Sequence, residues 1–100
     1  MVLEVAVLFV KSGLEADFER DFKTASSIIS SIGGYKSHQL QKCIEVENKY
    51  ILLVHWQHLE NHTIGFRSSD KYLLWKNLLH HYYDPFPIVE HYEVVFENKL

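Results

Sequence analysis

The stretch from Val2 to Lys11 is apolar on both of its faces, and few folds can use such a strand. In an extended chain Leu3, Val5, Val7 and Phe9 point one way, and Glu4, Ala6, Leu8 and Val10 point the other, because side chains alternate across a strand. Valine-rich residues on both sides read as a central strand covered front and back. In a chain of 100 residues, helices can cover one face. The other calls for something outside the chain, most simply the sheet of a second copy. Composition points the same way. With 47% of residues hydrophobic and 14% aromatic, so short a chain carries more apolar surface than one small core can hide.

The rest of the pattern supplies the covering elements. Ser12-Gly13-Leu14-Glu15 matches a capping box, with Ser12 as N-cap and Glu15 reaching back to its amide. Leu14, Phe18, Phe22, Ala25, Ile29 and Ile32 then recur at helical spacing, and Gly33-Gly34 is expected to end that helix. Tyr35 to Ile44 reads as a more polar strand with Lys36, His38, Leu40 and Lys42 on one side. A polar turn at Glu45–Asn48 leads to a strong strand from Lys49 to Gln57, and the two strands form a hairpin. Leu59 to Arg67 reads as a short helix broken at Ser68-Ser69. A second helix is expected from Asp70, turning Leu74, Trp75, Leu78, Leu79 and Tyr82 inward, with Pro85 and Pro87 blocking its continuation. A last strand is expected from Pro87 to Glu97. The order βαββαβ is that of an α+β, ferredoxin-like domain spanning 1–100, with helices on one face of a four-stranded antiparallel sheet.

Several function classes are disfavoured. The formal charge is -3 with acids and bases interspersed, so there is no basic footprint for nucleic acid. The longest apolar run, Val5 to Val10, is too short to span a bilayer. The first residues lack the pattern of a secretory leader, and one cysteine, Cys43, cannot form an intramolecular disulfide. A cytoplasmic protein without membrane attachment is the expectation.

Six of the seven histidines follow residue 50. His58 and His62 are four apart, as two ligands on one helix face would be. They lack a third ligand, since Glu60 points off that face, so no metal is expected. His80 and His81 suit the negative end of the second helix. Cys43 has no partner that would make it a nucleophile. A more suggestive set is Trp56, His62, Phe66, Tyr72 and Trp75. Aromatic walls around one imidazole fit a flat, hydroxylated, mainly apolar ligand, and an imidazole titrating near neutrality can take a phenolic proton. On the residues alone, Trp56, Phe66 and Trp75 read first as plain core.

The stretch His62-Thr63-Ile64-Gly65-Phe66-Arg67-Ser68-Ser69, followed by Trp75, Leu78-Leu79 and Pro85-Phe86-Pro87-Ile88-Val89-Glu90-His91-Tyr92, resembles the antibiotic biosynthesis monooxygenase family. With the order of elements, the resemblance covers nearly the whole chain. It implies a homodimer whose two sheets form a dimeric α+β barrel, with an aromatic pocket in each subunit. Some members oxidise phenols or quinols with molecular oxygen and no cofactor. The resemblance then implies that Trp56 and Phe66 line the pocket, that His62 is base or anchor, and that Arg67 steadies a developing anion. A sister group degrades haem. Here the first strand lacks that group's asparagine, and Lys76 stands about where its haem-ligating histidine would be, with His80 or His81 a turn away. The leading expectation is a cofactor-independent monooxygenase acting on a small aromatic phenol or quinol. A dimeric binding or stress-response module is the alternative, and haem degradation an outside one.

Overall fold

Strand β1 (Val2–Phe9) lies in the interior of the sheet, as its two apolar faces require. The computed structural model describes all 100 residues, Met1–Leu100. Helix α1 (Glu15–Ile29), strands β2 (Tyr35–Lys42) and β3 (Lys49–Trp56), a π-helical turn (Asn61–Phe66), helix α2 (Asp70–Leu79), a short 3-10 turn (His80–Tyr82) and strand β4 (Val89–Tyr92) follow. The strands are all antiparallel in the order β2-β3-β1-β4. The fold is therefore α+β and ferredoxin-like, with α1 and α2 on one face.

The covered face is the one that carries Glu4. Ala6, Leu8 and Val10 from β1 and its end join Tyr50, Leu52, Val54 and Trp56 from β3 in the core. Phe18, Phe22, Ala25 and Ile29 of α1 close over them, at the four-three-four spacing that puts side chains on one helix stripe. Phe18 and Trp56 have no exposed surface; burial of side chains this large stabilises by about 1.5–3 kcal/mol each. Leu3, Val5, Phe9, Ile51 and Leu53 lie on the opposite face and are only half-buried, and Val7 is exposed. No element of the chain covers them.

Several local expectations need correction. Ser12 does not cap α1. Leu14 is the N-cap residue and makes no side-chain cap, while the Glu15 carboxylate accepts from the Gly13 amide at 3.0 Å. The acidic side chain reaches back as anticipated, but one residue short, because Gly13 turns at positive φ. Helix α1 stops at Ile29, before Gly33-Gly34, and a turn carries Ile32 onto the core. Gly34 takes φ +85°, a conformation that other residues rarely adopt, and a Cβ there would displace the Asn61 side chain 2.1 Å away. β2 ends at Lys42 rather than Ile44, and an irregularity between Tyr35 and Ser37 removes Lys36 from the row of His38 and Leu40. Leu74 is not inward but 58% exposed, one residue off the stripe of Trp75 and Leu79. β4 pairs only from Val89 to Tyr92, and the apolar Val94, Val95 and Phe96 beyond it are exposed.

Candidate functional site

Alternation on β1 puts one carboxylate, Glu4, among the apolar side chains under the helices, where it is 5% exposed. Its cross-strand neighbours are Val54 on β3 and His91 on β4. The indole Nε1 of Trp56 donates to Glu4 Oε1 at 2.9 Å. The imidazole Nε2 of His62 stands 3.4 Å from the same oxygen, and His62 Nδ1 shares a 2.8 Å hydrogen bond with His91 Nε2. One carboxyl, one indole and two imidazoles thus form a chain of polar contacts within an apolar layer.

The π-helical turn is what brings His62 there. The Arg67 amide donates to the His62 carbonyl five residues back at 3.2 Å. Such wide turns are rare and concentrate at functional sites. This one buries both His62 and Phe66. His62 stacks on Trp56, with ring centroids 5.5 Å apart and planes 18° from parallel. Phe66 meets Tyr72 and Trp75 edge-on at 5.3 and 5.7 Å, a favoured aromatic geometry. Ser69 caps α2, its hydroxyl accepting from the Tyr72 amide at 3.2 Å.

Between sheet and helices these residues line a half-open cavity of about 350 Å³, within the range of small-molecule sites. Glu4 and His62 stand at its polar wall with Arg67. Phe66, Tyr72 and Trp75 give it aromatic walls. Five of the six residues singled out from sequence therefore share one cavity. Trp56 is the exception: it lies behind His62 as core and bonds Glu4 from there. His62 is buried, and His58 lies outside the π-helical turn and exposed. No group of three histidine, cysteine, aspartate or glutamate side chains is arranged to hold a metal ion.

Burial governs the electrostatics. It pushes the His62 imidazole down to about 3, helped by the positive charge of Arg67 and by His91. His62 is therefore neutral at physiological pH, and its approach to Glu4 is an imidazole–carboxyl contact rather than an ion pair. Burial raises the Glu4 carboxyl above its ordinary value, against the Trp56 hydrogen bond and the Arg67 charge. The cavity group whose proton affinity moves towards neutrality is Glu4.

Three residues without an assigned site role belong here. Glu4 had a signal, as the lone carboxylate in an apolar alternating face. His91 had none, since its place depends on β4 pairing beside Glu4. His80 lines the cavity wall, where its Nδ1 is buried without a hydrogen-bond partner, beyond the helix-end role its position suggested. Lys76 does not line the cavity.

A model of the family described as antibiotic biosynthesis monooxygenase matches residues 1–78. The chain is 54% identical over 95 residues to the uncharacterized protein YczJ of Bacillus subtilis, covering 95% of this chain and all of that one. It superposes on the crystal structure of a protein from Bordetella bronchiseptica, assigned as an antibiotic biosynthesis monooxygenase, with a TM-score of 0.91, 30% identity and coverage of 95% and 97% of the two chains. It shares its fold with SnoaB from Streptomyces nogalater, a cofactor-independent oxygenase, at a TM-score of 0.74 and 19% identity, over 99% of this chain and 95% of that one.

Proposed function

The chain belongs to the antibiotic biosynthesis monooxygenase family, and from that premise we propose that it oxidises a small aromatic phenol or quinol with molecular oxygen and no cofactor. The observation that carries the reading is the cavity between sheet and helices, walled by Phe66, Tyr72 and Trp75 and polar at Glu4, His62 and Arg67. An aromatic ring stacks against such walls while its hydroxyl meets the polar group. Once deprotonated, an electron-rich phenol can itself reduce oxygen. In the net reaction one oxygen atom enters a ring carbon, the other leaves as water, and the phenol becomes a quinone with two fewer hydrogens. Arg67 lies beside the polar wall and would steady the negative charge that develops. The fold shared with SnoaB, a cofactor-independent oxygenase, supports the same reading.

Oxygen consumption by the metal-stripped protein against quinols and polycyclic phenols tests it. Uptake above the spontaneous rate is expected, with label from ¹⁸O₂ in the product. Bound ligand returned unchanged after incubation in air would instead make the protein a binding module.

We further infer that two copies pack through the half-buried face of Leu3, Val5, Val7, Ile51 and Leu53. Aligned packing of two sheets would bury this apolar layer, and the exposed Val94, Val95 and Phe96 add apolar surface to the contact. Sedimentation at micromolar concentration should give a dimer. A monomer there contradicts the inference.

A further inference from the structure

We propose that Glu4, rather than His62, is the catalytic residue that takes the hydroxyl proton of the bound ligand, and that His62 and His91 are positioning residues that hold its carboxyl in place. The proposal rests on the phenol-oxidising reading above and assigns its proton-transfer step.

The geometry separates the two candidates. Both ring nitrogens of His62 already have neighbours, His91 Nε2 at 2.8 Å and Glu4 Oε1 at 3.4 Å. It has no lone pair free for a ligand without breaking one of them. Glu4 differs. Trp56 and His62 both meet Oε1, and Oε2 has no hydrogen-bond partner. That oxygen is also not sealed in the way His80 Nδ1 is, the one buried polar side-chain atom without a partner. Because Glu4 lines the cavity, Oε2 is the oxygen available to a ligand hydroxyl. The carboxyl is fixed as well as available. Trp56 is fully buried, so its indole holds Oε1 from the core side. His62 is pinned between the Trp56 ring and His91.

The step is a proton transfer. The ligand O–H bond breaks, the proton goes to Glu4 Oε2, and the electron pair stays on the ligand oxygen as a phenolate. Nothing is oxidised or reduced until oxygen reacts. Energetics favour the same assignment. An imidazole held near 3 is a weaker proton acceptor than a buried carboxylate whose affinity is raised, and proton transfer is most effective when the acceptor's pKa lies near the working pH. The titratable groups facing Glu4 are His62 and Arg67 from the π-helical turn and its end and His91 from β4, with Tyr72, His80 and Tyr83 also lining the cavity. Of these Arg67 is the permanent cation, and it stabilises both the ionised carboxylate and the phenolate.

The test compares oxygen uptake and its pH profile in wild type, Glu4→Gln and His62→Gln, with 1,4-dihydroxynaphthalene as substrate. Glutamine keeps an oxygen for the Trp56 hydrogen bond but accepts no proton. Glu4→Gln should lower the rate about 10²–10⁴-fold, the usual contribution of a general base. Its rate above the protein-free rate should climb back as pH rises and the quinol ionises unaided, and an unchanged circular dichroism spectrum shows that the variant is folded. His62→Gln should lose roughly tenfold or less, a misalignment smaller than a lost base, and keep the wild-type profile. A Glu4→Gln enzyme with the wild-type rate and profile overturns the assignment while the oxygenase reading stands. A wild type that consumes no oxygen above background overturns that reading, and the assignment with it.

Discussion

Leu52 and Leu53 are neighbours on β3, yet one is 4% exposed beneath the helices and the other lies half-buried on the open side. The contrast extends across the sheet. The covered face joins the core and contains the one carboxylate of β1, Glu4, held by Trp56 and His62. The open face of β1 carries Leu3, Val5, Val7 and Phe9, with no charge and no helix. One strand serves both, because alternation lets a single sequence write two surfaces. A carboxylate is tolerated on the inner face only because it is hydrogen-bonded there. The outer face of β1 has no such demand, and its apolar row suits a flat contact with a second copy.

The largest effect should come from charging the open face. Val7→Asp would put two carboxylates into a symmetric interface with no partner for either, and burying an unpaired charge is costly enough to prevent it. The expected outcome is a folded monomer in sedimentation and unchanged helical circular dichroism. A surviving dimer would remove this face from the interface. Next comes the leucine pair. Leu52→Ala should cost about 2–5 kcal/mol in urea unfolding, as for other buried leucines. Leu53→Ala should cost under ~1 kcal/mol at concentrations where the protein is monomeric, because the side chain is only half-buried. Equal losses would erase the distinction between the faces.

Acid should reveal the inner face selectively. Folded His62 binds a proton only near 3, against the ordinary 6.5 of a histidine. The unfolded chain therefore protonates first as pH falls. Stability contributed by this site is present above about 6.5 and is lost progressively down to about 3, at a slope of up to roughly 1.4 kcal/mol per pH unit. His38, His80 and His91, also depressed by burial, add in the same direction. Glu4 acts oppositely. Its raised carboxyl holds a proton to higher pH when folded, so its share of stability grows as pH falls through that value. His62→Gln should flatten the acid limb of an unfolding-midpoint series; an unaltered limb would mean that His62 titrates normally. A further small effect concerns the helix over the cavity. Ser69→Ala removes the cap of α2 and should cost about 1 kcal/mol by urea unfolding, without altering the dimer.

Much of this was legible in the chain. The apolar alternation of Val2–Phe9, the helical stripe Phe18-Phe22-Ala25-Ile29 and the Ser69 cap follow from local rules, and the order of elements followed from them. The aromatic set was legible too, because Tyr72 and Trp75 stand three apart on one helix and Phe66 closes the turn just before it. Other features were set by tertiary pairing. Ser12 resembled a cap, but positive φ at Gly13 shifted the turn by a residue. Leu74 looked inward because an apolar run hides its own phase. The His62–His91 hydrogen bond joins residues 29 apart, and no spacing rule foresees a contact made by strand β4 and a π-helical turn. Glu4 was visible as an anomaly in an apolar row, but its role depends on Trp56, 52 residues away.

The aromatic ligand should enter under the helices and leave the open face untouched. The most direct test is a nuclear magnetic resonance titration with 1,4-dihydroxynaphthalene under argon, following the two tryptophan indole signals and the methyl signals of Val7 and Leu53. The prediction is that the Trp75 and Trp56 indoles shift, Trp75 through its cavity wall and Trp56 through Glu4, while the Val7 and Leu53 methyls stay fixed. Methyl shifts with unmoved indoles, or no shift at saturating ligand, would contradict it.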